Sequence, residues 1–378
     1  MKNSFPMTLQ AWVIMSGLLA LNACSSGRET GTPPYESRDS AGVNVVWSGP
    51  RLYPDSSTWV VHPEPELQIG SQGGELPNLL SRVRDAVRTP DGRIVILEGE
   101  SLEIRVFGPD GVHIRSFGRR GDGPLEFERW PKMTLAPPDT VVVWDPGHGR
   151  LSWFDLSGEL LRQSSFLPLL AELGGLMGSP WQVHRDGALL MTSPVSGRRG
   201  DGPFDYPVRI GVVDEEGEIH HDFGQFPFGN GYSHPMGFTF AGWFGPRVLG
   251  AIGPESLRVA MSAPEKWEVR FYSATGELQR IMEAPIQRAA VSPEVRDARR
   301  AYTLDIALQI GLTEGDADRI EDGMPVPDSL PAISRMLWDR ANNLWVGRRE
   351  ADPLRTEYFD VFDTDGRWIT TVHLPSDL

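Results

Sequence analysis

Val106-Phe107-Gly108-Pro109-Asp110-Gly111 is the first of five copies of one short pattern, in which an apolar pair runs through polar residues into a Gly. The others are Trp153-Phe154-Asp155-Leu156-Ser157-Gly158, Val212-Val213-Asp214-Glu215-Glu216-Gly217, Phe271-Tyr272-Ser273-Ala274-Thr275-Gly276 and Val361-Phe362-Asp363-Thr364-Asp365-Gly366. Gly takes the positive φ of a tight turn without a Cβ penalty, so each copy predicts a hairpin. Working outward, most copies follow a second strand pair. Residues 85–89 and 93–97 flank Asp91-Gly92 and lead into 103–107 and 112–117, a four-stranded antiparallel meander. The same plan recurs over 133–166, 181–223, 247–282 and 333–372, with inner turns at Asp186-Gly187 and Asn342-Asn343. A strand unit returning every ~40 to 60 residues predicts an all-β propeller.

A propeller has to close, because an open end leaves edge strands unpaired. Residues 42–47, 58–61 and 66–69 read as short strands broken by Pro and Gly and are the available closing piece. The expected architecture is a six-bladed β-propeller of four-stranded antiparallel blades over 41–378. Whether the N-terminal piece makes a blade alone or shares one with the C-terminus is open at this level. One excursion, residues 285–331, changes period. Ser292 can cap a helix, Pro293 suits its first turn, and Val295, Ala298, Tyr302 and Ile306 recur at helical spacing until Gly311. A second short helix is expected over 313–320, giving a helical insertion near 292–322, either a lid over the channel or a helix packed on the rim.

The chain carries 36 Lys and Arg against 51 Asp and Glu, a net charge of −15, which excludes a nucleic-acid partner bound through phosphates. Lys2 and the apolar run 11–21, too short to span a bilayer, predict a signal peptide over 1–23. Leu21-Asn22-Ala23-Cys24 resembles the bacterial lipobox, which implies a lipid on Cys24, the one Cys of the chain. Residues 24–40, rich in Gly, Ser and Pro at their start, predict a flexible tether. Ser25 in place of Asp after that Cys implies, by the Gram-negative lipoprotein rule, an outer-membrane destination. The mature chain is expected to be a monomer.

In an up-and-down blade, the turns joining strands one to two and three to four share one face. Those joining two to three, and blade to blade, share the other. The first set is tight here; the second is long and includes 70–82, 118–132, 145–150, 193–207, 224–246 and 283–332. Function is therefore expected on the long-loop face. Two of its loops carry one hexapeptide, Arg119-Arg120-Gly121-Asp122-Gly123-Pro124 and Arg198-Arg199-Gly200-Asp201-Gly202-Pro203. Paired Arg can hold a carboxylate or phosphate through fork-like hydrogen bonds, or simply pair with Asp122, Glu126 or Asp201. Trp130, Trp181 and Trp243 suit sugar stacking or partner anchoring, or wedge between blades. His148, Arg150 and His234 complete the candidates. The eight His lack metal-ligand spacing, so no metal or cofactor is expected. No phosphate loop, nucleophile elbow or zinc-protease helix motif is present.

Asp39-Ser40-Ala41-Gly42-Val43-Asn44-Val45-Val46, Asp91-Gly92-Arg93-Ile94-Val95-Ile96, Phe117-Gly118-Arg119-Arg120-Gly121-Asp122-Gly123-Pro124-Leu125-Glu126-Phe127 and Asn343-Leu344-Trp345-Val346-Gly347 together resemble the six-bladed propeller lipoproteins of environmental bacteria, relatives of NHL-repeat propellers. The resemblance spans the mature chain and implies the fold; members of this kind mostly have no assigned reaction. Gluconolactonase-type propellers hold a divalent cation with Glu, Asn and Asp at inner-strand starts, where this chain offers only Asp85. The expected function is non-catalytic binding of an envelope protein or glycan. The alternative is a metal-dependent lactonase, hydrolase or lyase using Asp85, Arg82, His148 and Arg150.

Overall fold

The computed structural model describes residues 35–49, 59–70, 76–128, 131–136, 138–165, 179–184, 188–194, 201–214, 216, 218–242, 244, 247–253, 258–263, 265–324, 326–349 and 358–374. The signal peptide, Cys24 and the first part of the tether lie outside them.

Apolar runs such as Ile94-Val95-Ile96-Leu97 and Val141-Val142-Val143-Trp144 are buried at nearly every position, as strands covered on both faces must be. Outer strands instead alternate, as in Leu160–Ser165. The first sheet is Val83–Arg88, Ile94–Glu98, Glu103–Phe107 and His113–Phe117; the second is Lys132–Ala136, Thr140–Asp145, Arg150–Phe154 and Leu160–Ser165. The third has five strands, Ser179–Val183, Leu189–Pro194, Gly202–Val213, Ile219–Ser233 and Thr239–Ala241. The fourth contains Gly250–Ile252, Val259–Ser262, Glu268–Tyr272 and Leu278–Glu283, and the fifth Arg335–Trp338, Leu344–Arg348, Tyr358–Phe362 and Trp368–His373. Successive strands pair antiparallel in chain order, and the first strands of the five sheets pack in succession around a ring. The fold is a β-propeller.

Its core is a set of seams between neighbouring sheets rather than one central cluster. Val95, Leu97, Ile104 and Val106 meet Phe127, Met133, Val141 and Phe154 across the first seam, and Val142, Trp144 and Trp153 meet Leu189, Met191 and Val213 across the second. Outer-strand Arg side chains staple the seams: Arg115 donates to the Ser157 carbonyl at 3.0 Å and Arg280 to that of Thr364 at 2.6 Å.

The N-terminal strands do not build a sixth sheet among the described residues. Tyr35–Ser40, within the stretch expected as tether, pairs with Val43–Ser48 through Ala41 and Gly42, whose φ values of 55° and 84° suit a primed hairpin turn. Val43–Ser48 then runs parallel to Leu278–Glu283, extending the fourth sheet to six strands. Residues 59–70, interrupted by Pro63 and Pro65, which cannot donate to a ladder, fill the seam between the fifth and first sheets. The Trp59 N–H donates to the Thr370 hydroxyl at 3.4 Å, while Leu67 and Ile69 cover Gly111. Arg340 donates to the Arg88 carbonyl across the same seam.

The tight turns follow one scheme. Asp155 accepts from the Ser157 and Glu159 N–H groups, both at 2.8 Å, and Asp363 from those of Asp365 and Arg367, both at 2.9 Å. Gly158, Gly276 and Gly366 hold φ between 81° and 87°.

The long-loop face departs from expectation at two loops. Residues expected as loops over 193–207 and 224–246 are largely strand: Gly202–Val213 and Ile219–Ser233 run on beyond the blade as a paired arm, with bulges that absorb Pro207. Gly and Pro hide the period-2 pattern here. The helices are α1, Pro293–Gln309, capped by Ser292, and α2, Glu314–Gly323, opened by a Thr313–Asp316 capping box. Ala307, Leu312, Ala317 and Ile320 cover Tyr232, Phe238 and Phe240 of the arm, so the insertion packs its apolar side on the arm.

Candidate functional site

Polar residues that end the second strands organise the long-loop face. Glu98, 1% exposed, accepts from the N–H groups of Arg82 (2.8 Å), Glu100 (2.9 Å) and Ser101 (2.6 Å). Ser262 accepts from the Leu249 N–H at 2.9 Å. Asp145, also 1% exposed, accepts from the Glu128 N–H at 3.4 Å. These residues pin the blade-to-blade connections. Burial drives the Glu98 carboxyl upward, but four hydrogen bonds outweigh it and hold the group below its ordinary value. This clamp was not anticipated. Its signal is one polar residue closing an apolar run, as in Leu97-Glu98, Trp144-Asp145 and Met261-Ser262.

Around Asp145 the structure gathers four of the candidates. His148 donates through Nδ1 to Asp145 at 2.6 Å, and its Nε2 meets Asp122 at 2.9 Å. Arg150 donates to the carbonyls of Gly123 at 2.8 Å and of Glu126, and reaches Asp145 at 3.5 Å. Arg119 pairs with Glu126, whose other oxygen accepts from the Gly123 N–H at 2.9 Å. Burial tends to lower the His148 pKa, but hydrogen bonds to Asp122 and Asp145 prevail and raise it. Both ring nitrogens of His148 are engaged by carboxylates, Asp145 on Nδ1 and Asp122 on Nε2. This constellation closes the first hexapeptide, placing Arg119–Arg120 beside Glu126–Phe127 in a short parallel bridge.

Exposed groups remain at its rim. The Arg119 side chain is 76% exposed and that of Asp122 96%. A groove of about 520 Å³ opens beside them, lined by Phe117, Arg119, Pro124, Leu125 and Glu126. Arg120 is exposed and reaches the Glu100 carbonyl at 3.4 Å.

Other candidates fall elsewhere. His234, buried, meets Asp316 at 3.1 Å and joins the arm to α2. Asp316 also takes hydrogen bonds from Thr313 and Arg319, and its carboxyl sits well below the ordinary range, Thr313 being the main cause. Asp201 is exposed beside Gly202, whose pairing with Ser233 forms the end of the arm farthest from the blade. Trp130, Arg198, Arg199 and Trp243 lie outside the described residues; Trp181 is on the strand Ser179–Val183, with its side chain outside them.

The residues weighed for catalysis do not form one centre. Asp85 accepts from the Met133 N–H at 2.9 Å, tying the first sheet to the second, and burial raises its pKa despite that bond and the nearby Lys132, Arg84 and Arg335. Three cations around one carboxylate oppose a divalent ion there. Among the described residues no three His, Cys, Asp or Glu side chains are grouped to hold a metal ion, and no helix is long and apolar enough to cross a membrane.

No family model and no curated protein matches the chain. Solved structures do. A candidate exported protein of Bacteroides fragilis aligns with a TM-score of 0.46 at 14% identity, covering 88% of this chain and 80% of that one. The virginiamycin B lyase of Staphylococcus aureus aligns at 0.37 and 10% identity, covering 77% and 69%. Regucalcin of Agrobacterium tumefaciens, a calcium-binding protein, aligns at 0.35 and 13% identity, covering 78% of each chain. Likeness of this degree carries no argument about activity.

Proposed function

We propose that this chain is a lipid-anchored, non-catalytic binding propeller of the cell envelope, held in the outer membrane through Cys24. Its long-loop face would engage a protein partner or an envelope glycan. The observation that carries the reading is the division of labour around Asp145. Asp145, His148 and Arg150 are spent on one another and on the loop, and the loop they tie down presents Arg119, Asp122 and the groove at Leu125 to solvent. A rigid loop with an apolar floor and a charged rim loses little entropy on binding.

The test is crosslinking of the intact lipoprotein in its own cells, compared with a Leu125→Asp/Arg119→Glu variant. A captured species that the double variant loses, while its unfolding midpoint is unchanged, supports the reading. Equal capture by both proteins, or none by either, sinks it. Fractionation of Cys24→Ala addresses the anchor separately: the variant should leave the membrane fraction.

A further inference from the structure

The channel entrance carries a charge pattern the binding reading does not use. Lys132 and Arg335 are the first residues of the innermost strands of the second and fifth sheets. Arg84 is the bulged second residue of the corresponding strand in the first. These strands are consecutive around the ring, joined by the Asp85–Met133 bond on one side and the Arg340–Arg88 bond on the other. Every inner strand starts on the long-loop side, so the three cations lie along one arc of the same rim.

The arc is uncompensated. Among the described residues none of the three side chains makes a hydrogen bond or ion pair, and the Arg84 Nε is buried without a partner there. Elsewhere this acid-rich chain pairs its cations readily, as in Arg348–Asp360, Arg299–Glu321 and Lys266–Glu283. Asp85 is the carboxylate all three act on, and it is already engaged by the Met133 N–H. One carboxylate cannot neutralise three cations; at least two positive charges remain. Lys132 and Arg335 are exposed and Arg84 is half-buried, so an anion arriving from solvent can reach the arc, and low salt leaves its field least screened.

We infer that the channel entrance binds a small, multiply charged oxyanion, with Lys132 and Arg335 gripping its carboxylate or phosphate groups from the two sheets that flank the first and Arg84 adding charge between them. The Arg fork and the Lys point charge both suit such groups. The site is separate from the groove at Leu125, so the two readings stand or fall independently.

Calorimetric titration of the mature chain at low salt, with citrate and with pyrophosphate as probes, tests this. Saturable binding of citrate alone assigns a carboxylate ligand, of pyrophosphate alone a phosphate, and of both a site that reads charge. Lys132→Gln and Arg335→Gln should each weaken it by about tenfold, roughly the loss of one charge-assisted contact. Arg300→Gln, which removes an exposed charge on α1, should leave it unchanged. Asp85→Asn keeps an acceptor for the Met133 N–H and removes the competing charge, so it should tighten binding, which guards against loss through misfolding. No saturable binding of either probe, or binding indifferent to Lys132→Gln and Arg335→Gln, overturns the inference. A chain that captures a partner yet binds neither probe would keep the first reading and lose this one.

Discussion

The hexapeptide Arg-Arg-Gly-Asp-Gly-Pro occurs twice, and its two copies end in different structures. In the first, Gly123 donates to the Glu126 side chain and the chain folds back into a bridge sealed by Arg150 and by Phe127, which is fully buried. In the second, Gly202 opens a twelve-residue strand that pairs with Ile219–Ser233. The following residues account for the difference. Leu125-Glu126-Phe127 supplies an acceptor and an anchor that drops into the seam between the first two sheets, whereas Phe204 to Val208 offers strand residues to a partner strand. Six identical residues thus set a turn propensity, and tertiary contacts choose what it becomes.

Removing the anchors should break the comparison most severely. Phe127→Ala takes a ring from the first seam, where it meets Phe154 edge-on at 6.0 Å, and should cost about 3–5 kcal/mol in chemical denaturation. Its counterpart for the second copy is Ile320→Ala in α2, fully buried against the arm, at about 2–5 kcal/mol. Hydrogen exchange should tell them apart. Ile320→Ala should speed exchange over 225–233 and leave 94–107 protected, and a uniform rise across both stretches would show that the arm is not a separate unit.

Arg150→Ala should come next. It strips the first hexapeptide of its donors to Gly123 and Glu126 and leaves the buried Asp145 with one cation fewer, a loss of about 2–3 kcal/mol by denaturant unfolding. The arm should be unaffected. Substituting one glycine in each copy is milder. Gly121→Ala must place a Cβ against the Glu126 carboxylate at φ 149°, while Gly202→Ala meets no atom within 4 Å and strains only the backbone, at φ 106°. Gly202→Ala should cost about 1 kcal/mol and Gly121→Ala more; the reverse order would mean that Glu126 does not hold the turn.

The smallest effect is a pH dependence confined to the first copy. The folded state raises the His148 pKa above 6.5, so its stabilising contribution is complete below that value and is lost as pH rises through the raised one. The stability gap between the parent and His148→Gln should therefore be widest in mild acid and close in alkali. A gap constant with pH would show that His148 acts by packing alone.

Much of the fold was legible. Hairpins at Asp155, Asp214 and Asp363 follow from a side-chain acceptor and a turn Gly a few residues apart, and the helices from Ser292, Pro293 and Thr313. The arm was not legible, because Gly224, Gly229, Gly231 and three Pro (Pro203, Pro207 and Pro227) blur the alternation that identifies a strand. Nor was the sharing of the fourth sheet with Val43–Ser48, since strand pairing at a blade's outer edge leaves no local mark. Of the site, sequence reasoning found Arg119, Asp122, His148 and Arg150 but not the buried Asp145 that collects them.

The sequence by itself determined the repeat, the tight turns, the buried strands and the helix caps, because each depends on side chains within a few residues of the backbone they act on. Only the tertiary structure decided which hexapeptide was sealed into a loop and which leads, from Gly202, into an arm. It also decided where the N-terminal strands dock and which cations share one arc of the channel rim. Those outcomes depend on burial and charge brought together from distant segments, and residue spacing does not encode that proximity.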